Sequence, residues 1–268
     1  MGKRFLFFLV PSLAATPAFA GSEPETRPLE VTLHGAYSFG YVDGFMQTPL
    51  GGVPGTSNGR RPTLGELGIH NGGFYDAGLA ARWHQLGFYG GYQGIGLEGN
   101  GHLPSPLVSH GVSFGEGDSF QTKDRFDWFR FGGGWNFQLA GGRLELFPKA
   151  DLAVLDFRYK LASPSQDASR SYVKAGFRLG LEGSWSFTRN LSLKLDGAAS
   201  VPIANTPQIA TLSATMNWRL FARAHAVRPT LFFGAGAEWI DYEDSQTPPN
   251  HVRLLLGPLL TGGLSLAF

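Results

Sequence analysis

From Leu29 onward the chain alternates apolar and polar residues at a period of two, the spacing of half-buried β-strands, in ten separable segments. The clearest, 173–187, sets Val173, Ala175, Phe177, Leu179, Leu181, Trp185 and Phe187 against Lys174, Arg178, Glu182, Ser184 and Ser186. The first, about 29–41, opposes Leu33, Tyr37, Phe39 and Tyr41 to Glu30, Thr32, His34 and Ser38. Segments at 74–84 (Tyr75, Leu79, Trp83 apolar) and 87–98 (Gly-rich) follow. The fourth, 129–139, puts Phe129, Phe131, Trp135, Phe137 and Leu139 opposite Arg130, Asn136 and Gln138. The fifth, 144–159, changes phase near Val154 and Leu155, which predicts a β-bulge. Three more carry apolar faces of Leu191, Leu193 and Leu195, then Leu212, Met216 and Trp218, then Leu231, Phe233 and Trp239. In the tenth, 251–268, Val252, Leu254, Leu256, Pro258, Leu260, Leu264, Leu266 and Phe268 share one face, with His251, Arg253 and Ser265 on the other.

The connectors alternate short and long. Short turns fall near 85–86, 140–142, 188–190 and 222–226; the others are mostly longer, above all 43–73 and 99–124. Trp83, Trp135, Trp185 and Trp218 each precede a short turn in the apolar phase, so they predict a ring of indoles at one membrane interface, completed by Phe268. Tyr41, Tyr75, Phe129, Tyr159, Trp239 and Tyr242 predict a second girdle at the other rim.

A long one-sided strand ending on a terminal Phe resembles the C-terminal strand of Gram-negative outer-membrane β-barrels, in which that Phe serves as an assembly signal. The resemblance concerns architecture and points to no functional subfamily. It implies an all-β fold: a closed antiparallel transmembrane β-barrel of ten strands, with eight or twelve as alternatives. It also implies residence in the outer membrane, both termini in the periplasm, and long extracellular loops at 43–73 and 99–124. The partners implied are the assembly machinery, through the last strand, and outer-membrane lipid including lipopolysaccharide. The other end of the chain agrees: Lys3 and Arg4, the apolar run Phe5 to Leu13, and Ala18-Phe19-Ala20 predict a signal peptide over 1–20, leaving the barrel as 21–268.

Composition narrows the class. A mean hydropathy of −0.08 with 13% aromatics and 38 Gly suits strands with one polar face better than spanning helices. The formal charge of +1 becomes −1 without Lys3 and Arg4, which argues against nucleic acid as a partner. With no Cys there is neither a disulfide framework nor a lipoprotein cysteine.

Candidate chemistry is sparse. Gly94-Ile95-Gly96-Leu97-Glu98-Gly99 matches G-x-G-x-x-G, but no helix follows, so these glycines are expected to accept a neighbouring ring such as Phe88 or Tyr92. Thr63-Leu64-Gly65-Glu66 has the form of a capping box opening a short helix in the first loop, with an irregular loop as the alternative because Gly65 and Gly68 weaken a helix. Leu64, Leu67 and Ile69 suggest that this loop folds over or into the barrel mouth. The segment 107–114 is apolar enough to continue as a hairpin beyond the membrane. His110 and Ser113, or His34, could join Asp43, Asp76 or Asp241, but none matches a motif of lipid A deacylases or omptin-type proteases, and the catalytic residues stay unknown. Neither metal nor cofactor is expected, as no ligand spacing is present.

The polar phase predicts a lumen-facing charged network of Arg82, Glu98, Arg130, Lys149, Asp151, Lys174, Arg178, Glu182, Lys194, Asp196, Arg219, Arg228, Glu238 and Arg253, nine bases against five acids. Buried charges must be paired, so a salt-bridged filling is favoured over an open pore. The expected role is therefore a structural or interaction protein whose loops meet an extracellular ligand of unknown identity. The alternatives are a narrow channel or solute-binding barrel with slight anion preference, and a loop-borne outer-membrane hydrolase.

Overall fold

The computed structural model describes residues 29–50, 55–57, 60–221 and 227–268; the predicted signal peptide and the turn at 222–226 lie outside these residues. In chain order the strands are β1 (Glu30–Gln47), β2 (Asn71–Trp83), β3 (Leu86–His102), β4 (Leu107–Ser109), β5 (Val112–Phe114), β6 (Ser119–Trp135), β7 (Phe137–Leu139), β8 (Leu144–Ala162), β9 (Asp167–Ser186), β10 (Leu191–Ser200), β11 (Gln208–Arg219), β12 (Arg228–Glu243) and β13 (His251–Ala267). β6 and β7 are two pieces of one wall strand around Asn136, whose amide donates to the Gln85 carbonyl at 2.7 Å. All wall neighbours are antiparallel, β1 pairs with both β2 and β13, and β6 with β8, so ten strands close on themselves and leave no open edge. β4 and β5 form the expected hairpin outside the wall. Several strands run further toward the long loops than alternation alone predicts; β6 starts at Ser119, so much of 99–124 is strand.

Side chains alternate between wall and lumen, and the outward set near the chain termini is apolar and exposed: Leu33, Leu79, Phe131, Phe177, Leu181, Phe233, Leu260 and Leu264 among others. Trp83, Trp135, Trp185, Trp218 and Phe268 all point outward there, between 41% and 55% exposed. No aqueous solvent favours so continuous an apolar surface; hydrocarbon does.

Toward the loop end both faces invert. Inward positions change from polar to apolar along the same strand: Gln93 to Ile95, Arg130 to Trp128, Asp76 to Phe74, Glu238 to Ile240, Thr211 to Ile209. Outward positions change from apolar to charged: Phe129 to Asp127 and Arg125, Val154 to Asp156 and Arg158. The wall thus leaves lipid and becomes an ordinary aqueous barrel, greasy inside and polar outside.

This inversion corrects several sequence-based expectations. β8 has no bulge at Val154 and Leu155, because its register with β6 and β9 is continuous; Leu155, Phe157 and Tyr159 simply face inward in the aqueous half. Tyr159 and Tyr242 are core residues, 2% exposed, and not members of an outer girdle. Glu98 points outward beside Lys123, 3.4 Å away.

β13 does carry a bulge. Against both neighbours it gains one residue at Gly257–Pro258, since Gly40 and Gly236 face Leu259 while Val42 and Glu238 face Leu256. Val252, Leu254 and Leu256 therefore turn into the core, and Arg253 is sent outside to Asp241 at 2.8 Å. Gly257 sits at φ +149, a region open mainly to Gly, and a Cβ there would come within 3.0 Å of the Ala237 Cβ. Gly257→Val is expected to destabilise the barrel by about 1–3 kcal/mol, read as a lower urea midpoint of the refolded protein; an unchanged midpoint would show that the bulge tolerates a side chain.

Candidate functional site

The lumen has two storeys. The one nearer the termini is ionic. Asp151 on β8 takes both arms of Arg178 on β9, at 2.8 and 2.9 Å, and a third bond from the Tyr89 hydroxyl at 2.8 Å. Asp76 on β2 is shared between Arg130 on β6 and His34 on β1, the latter at 2.9 Å. Lys194 reaches Glu182 at 2.8 Å, Arg82 reaches Glu145 at 3.1 Å, and Gln93 donates to Glu238 at 2.7 Å. Lys149 pairs with Asp196, and Arg228 with Glu30. Lys174 lies higher, in the row of Leu155, with its ammonium 5.6 Å from the Tyr242 ring. Each pair joins different strands, so the network braces the wall from within.

Of the residues singled out from sequence, Arg82, Arg130, Lys149, Asp151, Arg178, Glu182, Lys194, Asp196, Arg228 and Glu238 come together in this interior, and Lys174 faces the lumen above it. Arg219 has the inward phase but lies exposed at the rim. Glu98 and Arg253 are outside, for the reasons given above. The network's missing members are Glu30, Asp76 and Glu145, with Tyr89 and Gln93 as neutral donors. Their inward phase was the signal available. These acids nearly balance the bases, which removes the surplus on which an anion preference would rest.

The seam between storeys is Trp128, 1% exposed, with the guanidinium of Arg178 at 4.6 Å and that of Arg130 at 4.9 Å from its ring. Beyond it lies one apolar cluster: Phe74, Ile95, Leu97, Phe126, Leu155, Phe157, Leu161, Ile240, Leu254 and Leu256 from the wall, with Leu64, Leu67 and Ile69 from the first loop and Leu103, Leu107 and Phe114 from the second. The three first-loop residues are 0–1% exposed.

The first loop is held in this position by its own chemistry. The capping box forms: the Thr63 amide donates to Glu66 Oε2 at 2.8 Å, and the Glu66 amide to Thr63 Oγ1 at 3.1 Å, around a single turn instead of a helix. Partial burial raises the Glu66 pKa, but the Thr63 amide and Arg60, 3.2 Å away, outweigh it and hold the carboxyl below its ordinary value. Leu64 and Met46 are tied across by backbone bonds to Gly44 and Pro62 at 2.9 and 3.0 Å.

One carboxyl sits in the apolar storey. Asp124 is 2% exposed, cross-strand from Leu97 and Tyr159, with only a long Thr122 bond at 3.4 Å. Burial pushes its pKa well above the ordinary value, and the Thr122 bond offsets this only in part. An acid raised on folding binds its proton more tightly in the folded state, so stability is full below the unfolded value and declines as pH rises through the folded one. Unfolding midpoints compared at about pH 5 and about pH 8 should therefore fall with pH, and Asp124→Asn should shrink that fall; an unchanged difference would contradict the assignment.

Of the pairings raised from sequence, His34 does meet Asp76, but among the described residues no nucleophile completes a catalytic arrangement. The rings of His34 and His251 bond to Asp76 and Asp241, at 2.9 and 2.8 Å, and among the described residues no hydroxyl bonds to either. His110 sits at φ +46 in the turn of the β4–β5 hairpin, and Ser113 lies on β5. Asp43 caps the neighbouring Gly44 amide at 2.7 Å. Among the described residues no group of three or more potential metal ligands is found. At Gly94 the ring accommodated is Tyr75, whose atoms a Cβ would approach to 2.4 Å, not Phe88 or Tyr92.

No family model matches the chain, and no curated protein does. Solved structures similar to it include the outer membrane protease OmpT from Escherichia coli, at 11% identity over 92% of this chain and 98% of that one, with a TM-score of 0.47. Ail, the attachment invasion locus protein of Yersinia pestis, in complex with the heparin analogue sucrose octasulfate, matches at 10% identity over 88% and 99%, TM-score 0.35. The Pseudomonas (P. putida) toluene transporter TodX matches at 11% over 88% and 89%, TM-score 0.34. A protease, an attachment protein and a transporter at such low identity transfer no role to this chain.

Proposed function

We propose that the chain is an integral outer-membrane β-barrel with a sealed lumen, serving as a structural and interaction protein. The termini lie in the periplasm and the long loops outside. The observation that carries this reading is the apolar storey closed by Leu64, Leu67 and Ile69: a conducting path would have to cross a packed hydrophobic layer, then a layer of paired charges. The outward apolar band and its Trp and Phe268 ring support the membrane placement. The strand β13, with its outward apolar residues Leu260 and Leu264, is the segment offered to the assembly machinery.

Refolded protein in a planar bilayer should show no discrete conductance steps at neutral pH. Regular steps of one amplitude would overturn the sealed lumen and revive the channel reading. Folded material should also migrate differently from boiled material on electrophoresis, and absence of that shift would count against closure.

A further inference from the structure

The outer wall just beyond the apolar band sorts its charges in an unusual way. On β6 and β8, outward residues directly opposite each other are alike in sign in three successive rows: Asp127 with Asp156, Arg125 with Arg158, Lys123 with Lys160. The next row toward the termini is Phe129 with Val154, where the apolar band begins. Like charges directly opposite are unfavourable, and exchanging acids for bases between the strands would have neutralised every row. Charge is instead layered by height above the membrane.

The basic layers are open to ligand. Arg125, Arg158, Lys123 and Lys160 have side chains 50%, 59%, 65% and 54% exposed. Each has one acid: Asp127 and Asp156 hold their arginines from below at 2.6 Å, while Glu98 and Asp167 sit to the sides of the lysines at 3.4 and 3.5 Å. Such exposed lysine contacts contribute little and yield to a stronger anion. Arg125 is also steadied by the Tyr75 and Tyr92 hydroxyls, both at 3.3 Å, which sit at the edge of the band. Above the bases the wall opens into a groove of about 530 Å³ whose lining is mostly apolar, with Phe120, Ala162 and Pro164 beside the polar groups of Asn100, Gln121 and Ser163, a mixture that offers both flat apolar contact and hydrogen bonds to a saccharide.

We infer that Lys123, Arg125, Arg158 and Lys160 form a docking site for the phosphorylated glycolipid of the outer leaflet, with the phosphates on the bases, the acyl chains on the apolar band and the saccharide toward the groove. The inference rests on the outer-membrane reading above. Charge sorted by height answers an anionic layer fixed at one height in the surroundings, and a lipid headgroup supplies that layer where a free anion would not. Arginine is suited to bidentate phosphate contact, and the two basic rows are relieved when the anion binds.

The test uses refolded full-length barrel in zwitterionic detergent, with purified bis-phosphorylated lipid A as probe and binding read by native mass spectrometry. Lys123→Gln/Arg158→Gln/Lys160→Gln is expected to weaken binding by about tenfold or more. Dephosphorylated lipid A should bind the wild type as poorly, and millimolar inorganic phosphate should not displace the lipid. All three side chains are exposed; removing them relieves the two basic rows while Asp156 loses one exposed partner, so the thermal midpoint of the lipid-free variant should stay close to that of the wild type. Equal binding by variant and wild type, equal retention of the dephosphorylated lipid, or displacement by free phosphate would each overturn the site. Loss of the heat-modifiable form in the wild type would instead remove the barrel reading, and the site with it.

Discussion

Asp151→Ala is expected to cost about 3–5 kcal/mol of unfolding free energy, the largest single-residue effect in the ionic storey. The size follows from what is left behind. Arg178 stays buried at 3% exposure with no carboxylate hydrogen-bonded to it, its Nη1 already lacks a hydrogen-bond partner, and Tyr89 loses its acceptor. The Trp128 ring at 4.6 Å offsets only part of that cost. Replacing both partners together, as Asp151→Leu/Arg178→Met, should cost far less, because no unpaired charge then remains. Urea unfolding of the refolded barrel, followed by tryptophan fluorescence, measures both. A cost below about 1 kcal/mol for the single change would mean that water reaches the pair and that the lumen is hydrated at this depth.

Leu64→Asp is expected to expel the first loop from the barrel mouth. The Leu64 side chain is fully buried in the apolar cluster, and even truncation to Ala at such a site costs about 2–5 kcal/mol. A carboxylate adds a desolvation cost that no neighbour relieves, since the adjoining cluster is hydrocarbon and aromatic. The wall closes through its own strand pairing, so the loop should leave while the barrel persists. Limited trypsin digestion distinguishes the outcomes: cleavage after Arg60 should accelerate strongly in the variant, with the heat-modifiable shift retained. Equal cleavage rates in variant and wild type would show that the loop does not depend on the seat that Leu64 occupies.

The two effects belong to different storeys, and the chain reveals them unequally. Arg178, Glu182 and Lys174 could be assigned inward because their strand keeps one strict alternation inside a long apolar frame. Leu155, Phe157 and Tyr159 could not, because they follow the same alternation after its meaning has changed. Once the wall rises out of lipid, the buried face becomes the apolar one and the outward face the charged one. From sequence that exchange looks like a slip of register. β8 has no slip, whereas β13 has a true one at Gly257, and hydropathy alone does not separate the two cases. The polar phase assigns Arg253 and Glu98 to the lumen, yet both stand on the outer face beyond the apolar band. Both lie where there is no lipid to avoid.

The pairing of charges was still less legible. Asp76 carried the right phase, but its bonds to Arg130 and His34 cross strands fixed only by closure. The first loop shows the same division. Thr63 and Glu66 announce their capping turn locally, and the apolar character of Leu64, Leu67 and Ile69 announces that they need burial.

The sequence by itself determined that strands form, how many, and which face of each is apolar next to lipid, because period-two alternation and turn residues are local properties of the chain. Tertiary structure decided where the lipid stops, which charges meet, and that the mouth is filled from the first two long loops. Those depend on what surrounds each face at each height, and a strand carries no mark of its surroundings until its neighbours and its loops are in place.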